Sequence, residues 1–285
     1  MIIDSKGNKW YKGNLHMHTT SSDGARTPAE AMRIYKDKGY DFIALTDHWH
    51  VNEPDEYEGM LVLSGVEYDL TRDECYHIVG YGLREDPRLE RGADPQKMID
   101  AIKSAGGVAT LAHPAWSLQR PDKMVQLKGV DCTEIYNSVS GYPFSARPYS
   151  GTLIDVATTM GFRAVLTSTD DTHYYGEDAG RGIVYVKATE LSRDAIINGI
   201  LKGDVVPTNG PFIEWELRGS RFAVTVPDGC RYVQFFTNKY YSPQTTATGG
   251  TVREAYFDVD PKVTFIRAEA VGFDGLTAYT QYIYF

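Results

Sequence analysis

From the N-terminus to about residue 200, short apolar runs recur, and most of them close on a polar side chain. Residues 41–46, 60–67, 75–82, 108–114, 130–136 and 162–168 have the length and texture of strands buried on both faces. Between them lie helix signals. Thr27-Pro28-Ala29-Glu30 reads as a helix start, with Thr27 at the N-cap, Pro28 in the first turn and Glu30 completing a capping box. This helix is expected to run to about Lys38 and to stop at Gly39. Asp94-Pro95 opens a second helix that closes at Gly106-Gly107, and a third covers roughly 147–160. Strands alternating with helices, with polar residues gathered at strand ends, predict a parallel β/α barrel whose site lies on the C-terminal face.

Past Gly203 the texture changes. Residues 212–217, 221–226, 232–236 and 262–270 alternate with turn clusters such as Arg218-Gly219-Ser220 and Pro227-Asp228-Gly229, and no helical period survives. A small all-antiparallel, sandwich-like β-domain is expected there. Asn209-Gly210-Pro211 marks the boundary, giving domains 1–209 and 210–285.

Composition narrows the class. The 285 residues are 42% hydrophobic and 24% charged, an ordinary globular balance with no apolar run long enough to span a bilayer. Neither a membrane partner nor a secretory leader is expected, and the three scattered cysteines, Cys75, Cys132 and Cys230, fit free thiols in a reducing cytoplasm. With 29 Lys and Arg against 38 Asp and Glu, the net charge of −9 argues against bulk binding of nucleic acid. The 20 tyrosines, Tyr240 and Tyr241 among them, suit β-strands and carry no role by themselves.

The chemistry lies in the histidines. His16 and His18 stand at i and i+2, so on a strand both rings face one way, and Asp23 follows in a turn before Gly24. Six of the seven histidines, His16, His18, His48, His77, His113 and His173, fall at or beside expected strand ends, and Asp23, Glu67 and Asp171 occupy the same layer. Carboxylates and imidazoles crowded together are costly unless cations compensate them. Nine ligands can hold two or three divalent ions (zinc, manganese or iron) and leave positions for water and substrate. Two ions would turn a triply negative site singly positive, which favours a small anionic, phosphorylated substrate.

These residues resemble the motif set of the PHP (polymerase and histidinol phosphatase) superfamily: His16-Met17-His18, Ser22-Asp23-Gly24, Thr46-Asp47-His48, Gly65-Val66-Glu67, His77-Ile78-Val79-Gly80-Tyr81, Ala112-His113-Pro114 and Asp171-Thr172-His173. The resemblance covers about residues 10–210 and implies a distorted (β/α)7 barrel with a trinuclear metal site. It implies one ion on His16, His18, Glu67 and Asp171, a second on Glu67, His77 and His113, and a third on Asp23, His48 and His173. The tail resembles the two-domain branch with phosphoesterase-like and carbaryl-hydrolase-like members.

A hydroxide bridging two ions is a ready nucleophile near neutral pH, and the chain has no G-x-S-x-G or P-loop signature to suggest another route. Hydrolysis of a small phosphomonoester, or of nucleotide or oligonucleotide phosphate, is the leading expectation, with His16, His18, His48, Glu67 and Asp171 carrying catalysis. Ester or carbamate hydrolysis on the same scaffold is the alternative, and a non-catalytic module the third. Arg147 and Arg181 are candidates to grip phosphate. Glu134 is a candidate substrate contact or orienter. Asp47 and Asp170, beside ligands, are expected to orient imidazoles. His50 is read as a rim residue.

Overall fold

The computed structural model describes residues 1–242 and 246–285, and the chain divides into two units, Met1–Val205 and Val206–Phe285. Nine main strands build the first unit: β1 (Lys9–Asn14), β2 (Phe42–Ala44), β3 (Met60–Leu63), β4 (Gly65–Thr71), β5 (Cys75–Tyr81), β6 (Val108–Leu111), β7 (Cys132–Asn137), β8 (Val165–Thr169) and β9 (Ile183–Lys187). Its longer helices are α1 (Pro28–Asp37), α2 (Pro95–Ser104), α3 (Gly151–Thr159) and α4 (Arg193–Leu201). One sheet runs β9-β1-β2-β3, with Asp55–Tyr57 on the far edge, and a five-stranded sheet runs β8-β7-β6-β5-β4.

The result is mixed α/β, but richer in strand and less regular than a parallel barrel. Pairings β1–β2, β2–β3, β6–β7 and β7–β8 are parallel. Pairings β4–β5, β5–β6 and β9–β1 are antiparallel. The expectation of a wholly parallel sheet fails at β4–β5 because Thr71 pairs directly with Cys75. A connection that short makes a hairpin, whereas a parallel neighbour needs a crossover. The single strand expected over 60–67 is also two, broken at Ser64, with β3 in one sheet and β4 in the other. Gly65 permits the switch, since a Cβ there would lie 2.6 Å from Leu45 O. At their polar ends the sheets are tied by parallel bridges Met17↔Thr172 and His48↔Glu67.

Local chemistry explains why the elements begin where they do. Thr27 Oγ1 accepts the Glu30 N–H, and Glu30 Oε2 accepts the Thr27 N–H, so the capping box is formed. Asp94 accepts the Lys97 N–H at the start of α2. One core joins Tyr11, Phe42, Ala44 and Leu63 to Val79, Tyr81, Val108 and Ala112, drawing side chains from both sheets. Burial of each large side chain contributes about 1.5–3 kcal/mol, which holds the polar strand ends in register.

The second unit is antiparallel throughout. The two strands expected over 221–226 and 232–236 are one, Arg221–Thr237. Pro227-Asp228-Gly229, read as a turn, is a bulge where the register shifts, with Gly229 at φ 80°. This strand pairs with Glu214–Arg218, Thr246–Asp258 and Phe265–Val271, so a continuous ladder replaces two separately paired sheets of a sandwich. Thr246–Asp258 escaped sequence analysis because most of its side chains face solvent and alternation is confined to its last few residues. The three cysteines are unpaired, with Cys132 and Cys230 buried and Cys75 part-exposed. Among the described residues no helix is long and apolar enough to cross a membrane.

Candidate metal centre

His16 and His18 continue from β1 with both rings buried. Glu67, fully buried on β4, reaches the same place. Asp171 arrives from just past β8 with φ 53°, a backbone conformation that costs about 1 kcal/mol or more for a non-glycine residue and that recurs at functional sites. His16 Nε2 and His18 Nε2 are 3.3 Å apart. Glu67 Oε2 lies 3.2 and 3.1 Å from them, and Asp171 Oδ1 3.2 and 3.0 Å. Ligands held at about 2.0–2.1 Å on a tetrahedral ion stand about 3.3–3.4 Å from one another. The two imidazole nitrogens therefore stand at the spacing of one divalent cation's ligands from each other and from both carboxylate oxygens, and the ligand atoms of all four residues lie within 4.8 Å of one another.

Two further groups share members with the first. His18, Asp23, His48 and His173 converge on the more open side, with Asp23 56% exposed and its Oδ2 3.4 Å from His173 Nε2. The Asp23 loop can approach because residue 24 is glycine, where a Cβ would lie 2.2 Å from His18 O. His48, Glu67 and His77 form the third group, with His77 Nδ1 2.8 Å from Glu67 Oε1. His113 Nε2 stands slightly off, 3.7 Å from Glu67 Oε1 and 3.6 Å from Asp171 Oδ2. All nine ligand candidates are thus gathered in one place. Glu67 and His77 come from within the β4–β5 hairpin rather than from strand ends, as had been expected.

Whether the donors suit metal can be tested on the molecule itself. His48 Nδ1 is buried facing Asp69 Oδ1 and Glu67 Oε2 at 3.2 and 3.4 Å, and His18 Nδ1 is buried and makes no hydrogen bond. Buried polar atoms are rarely left so, and neutral imidazole nitrogens beside carboxylates are the donors that divalent transition ions take. The set fits.

Electrostatics agrees. Burial raises Glu67, but the imidazoles of His16, His77 and His48 outweigh it and hold the carboxyl well below its ordinary range. Asp171 is lowered against its burial by His16, His18 and His173. The hydrogen bond from His173 lowers Asp23. Burial disfavours charge on His18, yet hydrogen bonds to Asp171 and Glu67 push it up to about 9. His16 and His77 also rise against their burial, under Asp171, Glu67 and Glu134 in the first case and chiefly Glu67 in the second. Without metal, protons on imidazole balance the carboxylates, so metal uptake must displace them.

The supporting residues correct several expectations. Glu134 is fully buried, its Oε1 2.8 Å from His16 Nδ1, while Oε2 accepts from the His113 N–H and from Asn137 Nδ2. Both oxygens are engaged within the protein, an arrangement that suits orienting His16 better than meeting a substrate. Glu134→Gln is expected to weaken metal affinity about tenfold to a hundredfold with an unchanged circular dichroism spectrum, read by competition with a chromophoric chelator. Unaltered affinity would contradict this role.

Asp47 orients no imidazole. It accepts from Thr19 N–H, Thr19 Oγ1, Ser22 Oγ and Asn52 Nδ2, and so shapes the loop that carries Asp23. Asp170 likewise binds Tyr35 OH and the N–H groups of Gly180, Arg181 and Gly182. Arg181 is paired on the surface with Glu177 and is not an open phosphate grip. Arg147 is exposed on the loop after β7, and His50 is exposed beside His48.

Three contributors escaped sequence analysis. Asn137 donates to both Glu134 and Asp171. Ser117 Oγ meets His113 Nδ1 at 3.0 Å. Asp69, two residues past Glu67 on the same strand face, lies 3.2 Å from His48 Nδ1 and accepts from Trp49 Nε1. Only Asp69 left a signal, its i+2 spacing from Glu67.

No family model matches the chain. An uncharacterized protein of Methanocaldococcus jannaschii is 30% identical over 146 residues, 45% of this chain and 82% of that one. The DNA polymerase/3'-5' exonuclease PolX of Bacillus subtilis is 35% identical over 82 residues, 22% of this chain and 14% of PolX. Among solved structures, a two-domain protein of Bacteroides vulgatus containing a predicted PHP-like metal-dependent phosphoesterase superposes with a TM-score of 0.56 at 18% identity, over 99% of this chain and 98% of that one. The chain thus belongs to one family with the Methanocaldococcus jannaschii protein, and its fold is PHP-like.

Proposed function

We propose that the protein is a metal-dependent hydrolase, specifically a phosphoesterase acting on a small phosphomonoester or on nucleotide or oligonucleotide phosphate. The observation that carries this reading is the spacing of His16 Nε2, His18 Nε2, Glu67 Oε2 and Asp171 Oδ1, in which the two imidazole nitrogens stand about one tetrahedral edge from each other and from both carboxylate oxygens. These four would hold one ion. Glu67 would share a second with His77 and with His48 or His113. Asp23, His48 and His173, with the free nitrogen of His18, would hold a third. The first unit is read as a distorted (β/α)7 barrel, its strand ends closed around the site by the Met17↔Thr172 and His48↔Glu67 bridges.

Bound divalent ions supply a water that ionises near neutral pH and positive charge to meet the developing charge on phosphoryl oxygens. The protein's own groups do the rest. Glu134 and Asn137 fix His16 and Asp171. Asp47 fixes the loop that brings Asp23 to the open side, where substrate can enter. Arg147, exposed on the loop after β7, offers a guanidinium for a phosphate oxygen. Arg147→Ala is expected to raise KM about tenfold with kcat little changed, and unchanged KM would remove it from the substrate path.

The test is p-nitrophenol release from a phosphomonoester, a phosphodiester and a carboxylic ester, by manganese-, zinc- and iron-loaded protein. Turnover of a phosphate substrate that is abolished by chelator and restored by metal supports the reading. Turnover of the carboxylic ester alone would move the protein to ester or carbamate hydrolysis.

A further inference from the structure

Three loops around the metal centre present large aromatic side chains to solvent. Trp116, after β6, is 39% exposed and stands edge-on to His113 and His77, with ring centroids 4.9 and 5.7 Å away. Phe144, after β7, stacks on Tyr174, after β8, with centroids 4.4 Å apart and planes 9° from parallel. Tyr174 is itself 57% exposed, and its ring lies 6.3 Å from that of His173. Each ring, or its stacked partner, touches a ligand candidate, yet each keeps surface open to water. Exposed aromatic surface concentrated beside a site usually marks recognition.

The rings are also held in place. Asn137, which donates to Glu134 and Asp171, accepts the Ser140 N–H through Oδ1, and the Phe144 N–H then donates to Gly141 O. Buried Asp178 accepts the N–H groups of both His173 and Tyr174 at 2.8 Å. The loops that carry Phe144 and Tyr174 are therefore braced by the same buried polar groups that set the metal ligands. Such bracing lowers the ordering cost of stacking a ligand ring there. The phosphate-gripping candidate Arg147 lies on the Phe144 loop.

We propose that Trp116 and the stacked Phe144–Tyr174 pair select phosphate esters whose alcohol half carries a planar aromatic ring, making these residues determinants of specificity. The inference rests on the phosphoester reading. Trp116 and Tyr174 lie 4.9 and 6.3 Å, ring to ring, from the ligand candidates His113 and His173, so the ester substituent of a phosphate held among the ligands would come next to them. An aryl group or a nucleobase would supply the same stacking face.

Benzyl phosphate and cyclohexylmethyl phosphate test this, because leaving-group basicity and size are nearly matched and only aromaticity differs. With metal-loaded wild-type protein, kcat/KM for the benzyl ester is expected to be about tenfold higher. The preference should shrink to about twofold or less in Tyr174→Ala and in Trp116→Ala, and survive in Tyr174→Phe. Adenosine 5′-monophosphate against ribose 5-phosphate separates a nucleobase from a simple aryl group. Calorimetric binding of benzylphosphonate and cyclohexylmethylphosphonate gives the same comparison without turnover. Absence of all phosphate turnover would overturn the proposed reaction but leave the binding comparison to decide this inference. Equal binding of the two phosphonates, or a preference that persists in both alanine variants, would overturn the aromatic selection. Equal binding together with wild-type dimerisation lost in Tyr174→Ala would assign the rings to self-association instead.

Discussion

Glu67→Ala is expected to lower bound metal by more than one ion per chain and to reduce turnover below about one-thousandth of wild type. The carboxylate is the hub of the centre: Oε2 faces His16, His18 and His48 at 3.2, 3.1 and 3.4 Å, and Oε1 faces His77 and His113 at 2.8 and 3.7 Å. Two of the three ligand groups include it. Its loss strips a shared ligand from both and leaves several buried imbalances of charge. Elemental analysis of the dialysed variant, beside a circular dichroism spectrum to establish folding, reads the effect. Full metal content with full turnover would contradict the arrangement.

Metal-free protein is expected to lose thermal stability between pH 6.5 and 9, whereas metal-loaded protein holds it. An imidazole whose folded value lies above its unfolded value of about 6.5 contributes fully below that pH. The contribution is lost as pH rises through the folded value, which for His18 is about 9. For one such group the loss is on the order of 3 kcal/mol, shared among neighbours that use the same carboxylates. A fall in Tm on the order of 10 °C follows for a unit of this size. The carboxylates act at the other end. Glu67, Asp171 and Asp23 are lowered, so their contribution is present above the ordinary carboxylate range and disappears as pH drops through their depressed values. Metal-free stability should thus peak between about pH 4.5 and 6.5, and bound metal should extend the plateau upward by replacing the displaced protons. Melting curves with and without chelator across this range check it. Parallel declines in the two samples would mean that the histidine cluster does not govern alkaline stability.

The gathering of the nine ligand candidates was legible because their signal is local. His16 and His18 sit two apart, Asp23 precedes a glycine, and His113 and Asp171 follow apolar runs. The residues that support them were not legible, since their partners are set by the fold. Nothing in sequence separates Glu134, placed to orient His16, from a substrate contact, nor shows that Asp47 serves the Thr19–Ser22 loop rather than a ring. The α1 cap could be read directly from Thr27 to Glu30, because a capping box involves only neighbours. Strand direction could not be read in the same way. The β4–β5 hairpin puts Glu67 and His77 within 2.8 Å, and the apolar pattern of a buried strand is the same whichever way it runs. Likewise Pro227-Asp228-Gly229 has turn composition but serves as a bulge, and only the pairing partner distinguishes the two.

The most direct test of the central claim is the number of ions that the protein holds. Wild-type protein, stripped by chelator, reloaded with manganese or zinc and dialysed, is predicted to retain about two to three ions per chain by elemental analysis. Glu67→Ala and Asp171→Asn should retain fewer. Retention of no more metal than a protein without such a cluster would contradict the account, and the convergence of nine ligand candidates would then need another explanation.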